Sequence, residues 1–348
     1  IEIIMDYPKY FKDENELEEA LSRPTSELVE MFKILDGDVI LLGVAGKMGV
    51  SMARMAKRAC KLAGIEKRII GVSRFSDKEQ QSYLEKSGIE TIKGDLLDLE
   101  FINSLPEVEN VIYLAGMKFG TEGNESITWA MNSFLPGLVA HKFKKSRIVA
   151  FSTGCVYPLV NITSGGSRES DIPEPVGEYA QSCLGRERLF EYGSIKYGTP
   201  VILIRLNYAV EMRYGVLVDI ASKVYNQETL DLTMGYANVI WQGDANEMIL
   251  RSLQYCTTPA AHLNISGAEL ISVAEVAKKY GKIMGKEVKL KGAEADSALS
   301  VNVSKRLGLL GAPSVDVDRV IEWTAHWIGS DKRLLGKSTH FEVRDGKY

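Results

Sequence analysis

The segment DVILLGVAGKMGVSMA, residues 38–53, runs from an apolar stretch of strand-forming residues through a glycine-rich turn into a helical pattern. Glycine at such a turn lets the backbone approach a pyrophosphate closely, and the N-terminus of the following helix offers free N–H groups to phosphate oxygens. The same spacing also suits a plain tight turn, but its place between a strand and a helix favours dinucleotide binding. The residues predicted to form this site are Gly43, Gly46, Lys47, Met48 and Gly49.

Apolar runs rich in β-branched residues recur beyond this segment and are mostly separated by helical patterns. The predicted strands are 38–43, 68–73, 89–95, 110–116, 146–153, 201–207 and 262–266. Strands that alternate with helices are joined by right-handed crossovers. The sequence therefore predicts an α/β fold with a doubly wound parallel sheet.

The alternation weakens after about residue 210, which predicts a smaller C-terminal region that binds substrate. The sequence of residues 1–33 indicates a polar, partly helical N-terminal extension outside the sheet. The remaining predicted units are a dinucleotide-binding domain of residues 34–212, to which 238–266 returns, and a substrate-binding region of 213–237 and 267–340.

The composition argues against several classes of protein. A formal net charge of -4 and a pI of about 5.8 give no basis for binding nucleic acid or a membrane surface. No apolar run approaches the roughly 20 residues of a membrane span, and the first residues lack the pattern of a secretory signal. Four scattered cysteines without a C-x-x-C pair favour reduced thiols in a cytoplasmic protein, so no metal site is predicted.

The second strand ends in GVSRFSD, residues 71–77, and this ending bears on cofactor choice. An NAD site usually has a carboxylate here to accept from the ribose hydroxyls, but Ser73 occupies the position and Arg74 follows it. A guanidinium can hold a 2′-phosphate through paired charge-assisted bonds. Arg74 could also stack on adenine or point to water. The sequence favours NADP over NAD.

Four downstream motifs occur in the order in which the extended short-chain dehydrogenase/reductase family carries them. They are KGDLLD (93–98), YLAGMK (113–118), FSTGCVY (151–157) and RLNYAV (205–210). From about residue 36 to 330 the chain resembles this family of NAD-dependent epimerases and dehydratases. The resemblance implies a Rossmann sheet, hydride-transfer chemistry and a homodimer.

The resemblance also assigns roles to individual positions. Thr153 and Tyr179 match the catalytic residues, and Asn207 matches a residue that faces substrate. The further cofactor positions implied are Asp95, Leu96, Leu114, Ala115, Gly116, Lys118, Asn132 and Tyr179. The residue types suit these roles, because a hydroxyl can fix a substrate oxygen while a phenol exchanges a proton during hydride transfer. Without the surrounding pattern, Thr153 would be an ordinary strand end and Tyr179 an aromatic packed at a helix start.

One residue departs from the family pattern. The family carries a lysine four residues after the tyrosine, where it favours the ionised phenol, but Cys183 stands here and a thiol is never a cation. Arg186, seven residues after Tyr179, and Lys118 are candidate replacements. We favour Lys118, because a helix advances about 10 Å over seven residues.

Two classes of function follow from this departure. The first is an NAD(P)-dependent oxidoreductase or epimerase acting on a small hydroxylated substrate, and the second is a silent dinucleotide-binding sensor. Nucleotide-sugar enzymes of the family carry an arginine for the substrate diphosphate, but the matching positions here are Ala237 and Asn238. Arg213 is the nearest replacement and could hold a carboxylate or phosphate. A free sugar, sugar acid or polyol is therefore favoured over a nucleotide sugar.

Overall fold

The computed structural model describes residues 3, 5–118 and 120–347. Within these residues the centre is a seven-stranded sheet with every neighbouring pair parallel. Its strands are β1 (Val39–Leu42), β2 (Ile69–Ser73), β3 (Glu90–Lys93), β4 (Asn110–Tyr113), β5 (Arg147–Thr153), β6 (Val201–Leu206) and β7 (Ala261–Ile265). Their spatial order is β7-β6-β5-β4-β1-β2-β3. The predicted doubly wound parallel sheet is confirmed.

Helices connect the strands and continue into the C-terminal region. They are α1 (Glu14–Leu21), α2 (Ser26–Ile34), α3 (Gly49–Ala63), α4 (Lys78–Lys86), α5 (Leu99–Ser104), α6 (Glu125–Trp129), α7 (Leu135–Lys142), α8 (Gly177–Tyr197), α9 (Val216–Tyr225), α10 (Gln242–Arg251), α11 (Val273–Met284), α12 (Ser304–Leu310) and α13 (Val317–Gly329). A π-helical turn, Ala130–Phe134, joins α6 to α7.

The central strands are apolar on both faces because helices cover both. Successive side chains of a strand point to opposite faces, and β1 is buried along its whole length. Leu41 packs with α2, α3 and α10 on one face, whereas Ile40 packs with α5, α7 and α8 on the other. This burial on two sides explains why the strands appear in the sequence as nearly continuous apolar runs.

The N-terminal extension packs more closely than the sequence predicts. Leu17 and Leu21 of α1 join the core of the C-terminal region, while Leu28 and Phe32 of α2 join the core beside α3. The described residues of this segment form α1 and α2 and contribute no strand to the central sheet. Its apolar helix faces nevertheless make it an integral layer of both cores. The division of the remaining chain into domains stays a prediction.

Short two-stranded pairings organise the C-terminal region. They join Val160–Asn161 to Ser297–Ala298, Ala209–Val210 to Ile240–Trp241, Thr229–Asp231 to Lys289–Lys291 and Tyr236–Ala237 to Ile271–Ser272. Residues 330–347, here called the C-terminal strap, follow α13 without regular secondary structure. Phe341 anchors the strap by burial in the C-terminal core. None of the described helices is long and apolar enough to cross a membrane.

Candidate active site

The glycine turn connects β1 to α3 at the carboxyl edge of the sheet. Gly43 has a φ of +91°, and a Cβ there would come within 2.8 Å of the backbone nitrogen of Ala115. A Cβ on Gly49 would overlap the carbonyl of Val44, so glycine is required where α3 approaches the strand. No side chain caps the N-terminus of α3. The turn therefore leaves helix N–H groups available for an anion, as a pyrophosphate site requires.

The residues predicted near the adenosine lie at the ends of the next two strands. Ser73 ends β2, and Arg74 follows it as an exposed side chain. The Asp95 carboxylate, just after β3, accepts a hydrogen bond of 3.0 Å from the backbone nitrogen of Leu97. Leu96 is buried. Since β1, β2 and β3 are parallel neighbours, these positions share one sheet edge with the glycine turn.

A cleft of about 270 Å³ opens along this edge. Eleven predicted site residues line it: Gly43, Gly46, Lys47, Met48, Gly49, Leu114, Gly116, Lys118, Thr153, Tyr179 and Asn207. The structure thus brings the glycine turn and the proposed catalytic pair to one cavity. Ser73, Arg74, Asp95, Leu96, Ala115, Asn132 and Arg213 are not part of its lining.

Thr153 and Tyr179 both line this cleft, and the Thr153 hydroxyl lies near enough to lower the pKa of the phenol. The Thr153 Oγ1 also accepts from the backbone nitrogen of Cys155 at 3.1 Å, which fixes its rotamer at the end of β5. Burial raises the pKa of Tyr179 well above its usual value, and the thiols of Cys183 and Cys155 raise it further. Arg186 and the Thr153 hydroxyl act in the opposite direction.

Cys183 occupies the position of the family's lysine but adds no positive charge to the cleft. It is fully buried and packs with Val156, Tyr157 and Val301. Burial raises the pKa of its thiol to about 11, so the group is neutral at physiological pH. Cys183 therefore acts as a small apolar side chain beneath Tyr179.

Three basic side chains line the cleft, and two of them, Lys118 and Arg186, are the candidate replacements for the family's lysine. Lys118 Nζ lies 5.8 Å from the ring centroid of Tyr179 and donates to the Thr339 carbonyl at 3.1 Å. Lys47 Nζ lies 3.2 Å from the ring centroid of Tyr214. The helical advance favoured Lys118 over Arg186, and the structure places both side chains in the lining of the same cleft. A long side chain on a helix leans toward the N-terminus, which shortens this distance.

The two asparagines predicted as site residues are buried, and each forms side-chain hydrogen bonds next to the cleft. Asn132 lies in the π-helical turn and is fully buried. Its Oδ1 accepts from the backbone nitrogen of Met117 at 2.8 Å, and its Nδ2 donates to the Met117 carbonyl at 2.7 Å. Asn207 is also buried, and its Nδ2 donates to Asn238 Oδ1 at 2.8 Å. Asn132 thus fixes the loop after β4, while Asn207 reaches the cavity lining.

Arg213 does not serve the cleft. Its Nε lies 3.0 Å from a carboxylate oxygen of Glu211, and its two terminal nitrogens lie 3.2 Å from Glu14 and 2.6 Å from Glu18. The expectation that Arg213 holds a substrate anion is therefore wrong, because three carboxylates already bond its guanidinium. It instead ties α1 to the C-terminal region.

The C-terminal strap supplies a wall that the sequence did not predict. Thr339 lines the cleft, and its backbone nitrogen and hydroxyl donate to the Asp219 carboxylate at 2.8 and 2.6 Å. Further along, Gly346 lies against Val176 and Gly177 at the start of α8. These contacts join segments more than a hundred residues apart, and no local motif signals them.

A second polar cluster lies on the far side of α8. Glu187, Glu191 and His262 bring three potential metal-ligating groups together. Both carboxylate oxygens of Glu187 already accept from Arg205, at 3.0 and 2.8 Å, and Ser152 donates to the same group at 2.5 Å. His262 Nε2 lies 3.0 Å from Glu191. The cluster is thus a hydrogen-bonded network that links α8 to β5, β6 and β7.

Comparison with known proteins gives one family and several similar folds. Residues 39–210 match the NAD dependent epimerase/dehydratase family. UDP-glucuronic acid 4-epimerase from Bacillus cereus is 15% identical, with a TM-score of 0.69 over 84% of this chain and 99% of that one. UDP-glucose 4-epimerase from Thermotoga maritima is 18% identical, with a TM-score of 0.70 over the same shares.

A dTDP-glucose 4,6-dehydratase from Bacillus anthracis, solved in complex with NAD, is 16% identical, with a TM-score of 0.71 over 84% of this chain and 97% of that one. At such identities the likeness establishes the fold. No curated protein sequence matches the chain.

Proposed function

The chain belongs to the NAD-dependent epimerase/dehydratase family, and we propose that it moves hydride between a nicotinamide dinucleotide and a small hydroxylated substrate. The observation that carries the proposal is the meeting of Thr153 and Tyr179 in the cleft bordered by the glycine turn. A dinucleotide supplies the hydride acceptor or donor when it is bound. The glycine turn would hold its pyrophosphate, because no side chain caps α3 there and Gly46 lines the cleft.

Within this proposal the two hydroxyl groups have separate tasks. Thr153 orients a substrate oxygen from the end of β5, where its own rotamer is held by the Cys155 backbone. Tyr179 holds the proton that the substrate oxygen gains or loses. Because burial keeps Tyr179 protonated at rest, it is poised first to donate.

Replacement of Tyr179 tests the assignment directly. Tyr179→Phe should lower cofactor-dependent turnover by roughly a hundredfold or more, the scale of lost acid–base catalysis. Tyr192→Phe is a matched control, because Tyr192 is an exposed tyrosine on the same helix. Cofactor absorbance in steady-state assays reports the difference. Full activity in Tyr179→Phe would remove the tyrosine from the reaction and favour a silent dinucleotide-binding protein.

We further propose NADP as the preferred dinucleotide. Ser73 provides no carboxylate at the end of β2, and the exposed guanidinium of Arg74 is available for a 2′-phosphate. Titration of both cofactors against wild type and Arg74→Ala checks this preference. Tighter binding of NAD by wild type would contradict it, and that is the cofactor seen in the Bacillus anthracis dehydratase.

The proposed substrate is a free sugar, sugar acid or polyol. Ala237 and Asn238 are buried and uncharged, and Asn238 bonds to Asn207 and to the carbonyls of Gly267 and Val301. They offer no positive charge to a diphosphate. Three basic side chains line the cleft, Lys47, Lys118 and Arg186, and a carboxylate on the substrate would favour the protonated form of the two lysines, whose pKa burial lowers. Turnover of a sugar acid supports this choice, whereas micromolar binding of a UDP-sugar that UDP competes away would contradict it.

A homodimer is the proposed assembly. The helical segment from α6 to α7 and its neighbour α8 expose large apolar side chains, including Trp129, Phe134 and Ile195. Burial of such side chains against a second copy removes apolar surface from water. Light scattering of wild type and Phe134→Glu checks the assembly, and a monomeric wild type would exclude it. A cytoplasmic location stays a prediction.

A further inference from the structure

Arg186 is a buried arginine whose side chain lines the cleft. It is 5% exposed, and its guanidinium donates to the Phe151 carbonyl at 2.9 Å and to Asn132 Oδ1 at 2.7 Å. A Cβ on Gly116 would come within 2.5 Å of its terminal nitrogen. The absence of a side chain at Gly116 therefore allows the guanidinium to lie directly behind the loop after β4, against the cleft.

Both recorded acceptors of Arg186 are neutral carbonyl oxygens. Among the residues that the structure describes, no carboxylate forms an ion pair with it, and its Nε is buried without a hydrogen-bond partner. The adjacent Glu187 directs both of its oxygens to Arg205 instead. A buried cation without a counter-ion is unfavourable, so its field favours an anionic form of any neighbouring group that can lose a proton.

We propose that Arg186 is the positioning residue that replaces the family's lysine, and that its charge stabilises the ionised form of Tyr179 during proton transfer. The inference rests on the proposed function, since it concerns the same tyrosine. It also explains how Cys183 can stand at the lysine's position: the cation approaches from one helical turn further along α8.

The groups around Tyr179 support this choice of cation. Cys183 and Arg186 face it from α8, Cys155 and Thr153 from the end of β5, and Lys118 from the loop after β4. The thiols raise the pKa of Tyr179 beyond the effect of burial, and Arg186 lowers it.

Lys118 is the alternative cation, but its ammonium group is deprotonated more easily than the guanidinium of Arg186. Burial lowers the pKa of Lys118, so its ammonium loses its proton more readily than usual. A guanidinium stays protonated throughout the pH range of proteins. Arg186 is consequently the cation whose charge persists while Tyr179 ionises.

A fluorinated tyrosine at position 179 allows the test. Its more acidic phenol brings ionisation into the pH range in which proteins stay folded, and fluorine NMR follows it without any substrate. Arg186→Met should raise the midpoint by about 1–3 pH units, the effect of removing a neighbouring opposite charge. Arg186→Lys should retain most of the wild-type midpoint. Cys183→Lys in the Arg186→Met background should bring the midpoint down again.

Two further variants make the result specific. Arg188→Met is the matched control, because Arg188 is an exposed arginine on the same helix that pairs with Glu191. Its midpoint should equal that of wild type. An unchanged midpoint in Arg186→Met, or a larger change in Lys118→Met, would overturn the proposal.

The outcome also separates this inference from the proposed function. If the midpoint moves as expected but no sugar, sugar acid or polyol is turned over, the role of Arg186 stands and the proposed function fails. If turnover occurs and depends on Tyr179 while the midpoint ignores Arg186, the reverse holds.

Discussion

Arg205 and Arg186 are both buried, but their positive charges are balanced in different ways. Arg205 of β6 is 2% exposed and donates to both oxygens of Glu187, and its remaining terminal nitrogen donates to the Tyr157 hydroxyl at 2.8 Å. Arg186 is 5% exposed, and within the described part of the chain it donates only to carbonyl oxygens. The first arginine is neutralised inside a closed network. The field of the second remains directed at the cleft.

The difference shows how one helix separates a charge with an ion-pair partner from a charge that has none among the described residues. Glu187 and Arg186 are consecutive, and consecutive residues of an α-helix project about 100° apart, since a turn holds 3.6 residues. Glu187 therefore faces β6 while Arg186 faces the glycine turn and the loop after β4. Ion pairing between these two neighbours would have cancelled the charge of the cleft.

The largest expected effect comes from breaking the closed network. Glu187→Gln leaves Arg205 buried without a counter-ion, so the free energy of unfolding should fall by about 3–5 kcal/mol. Chemical denaturation measures this loss. The double variant Glu187→Met/Arg205→Met should recover much of it, because apolar residues can replace a buried ion pair at little cost. A loss below about 1 kcal/mol, typical of an exposed pair, would show that the network is not closed.

For Glu247 of α10 we expect an effect on stability that is intermediate in size and depends on pH. It is 4% exposed, accepts from Thr25 at 2.7 Å and lies 3.2 Å from Arg251. Burial raises the pKa of Glu247 to about 7, and Arg251 and Thr25 only partly oppose it. The folded state therefore favours the protonated form of Glu247 more than the unfolded chain does.

The stability of the wild type should therefore fall as pH rises from about 4.5 to about 7. Relative to Glu247→Gln, which does not titrate, the loss should be about 1–3 kcal/mol. Thermal unfolding across this range checks the prediction. A constant difference between the two proteins would mean that Glu247 is ionised throughout.

Arg186→Met tests the second arginine of the comparison. Removing a cation that has no ion pair should change the free energy of unfolding by less than about 2 kcal/mol, because only two hydrogen bonds are lost. The same denaturation experiment as for Glu187→Gln measures it. If Arg186→Met proved as damaging as Glu187→Gln, Arg186 would have a counter-ion in solution.

The smallest effect is expected at the surface of the same helix. Arg188 pairs with Glu191 at 2.7 Å, but its side chain is 53% exposed. Arg188→Met should cost less than about 1 kcal/mol, since water screens such pairs. Raising the salt concentration should reduce even this difference. A cost that persists in high salt would indicate that Arg188 supports the buried network through Glu191.

Sequence and structure agree best where the information is local. The seven strands could be predicted because each is an apolar run bounded by turns, and the glycine turn because sterics at Gly43 and Gly49 exclude other residues. Thr153 and Tyr179 were found through motifs that lie at fixed places on a strand end and a helix start. These features depend on neighbours within a few residues.

The tertiary structure decided where each charge finds its partner. The sequence predicts that Arg213 binds substrate, but its guanidinium bonds to Glu14 and Glu18, which lie almost two hundred positions earlier. The sequence ranks Arg186 behind Lys118 because of the helical advance, whereas in the fold Gly116 leaves room for its guanidinium beside the cleft and Asn132 accepts a hydrogen bond from it. Secondary structure follows from local sterics and apolar patterning, which a sequence records directly. The balance of buried charge depends on which distant groups the fold brings within bonding distance, so only the folded chain determines it.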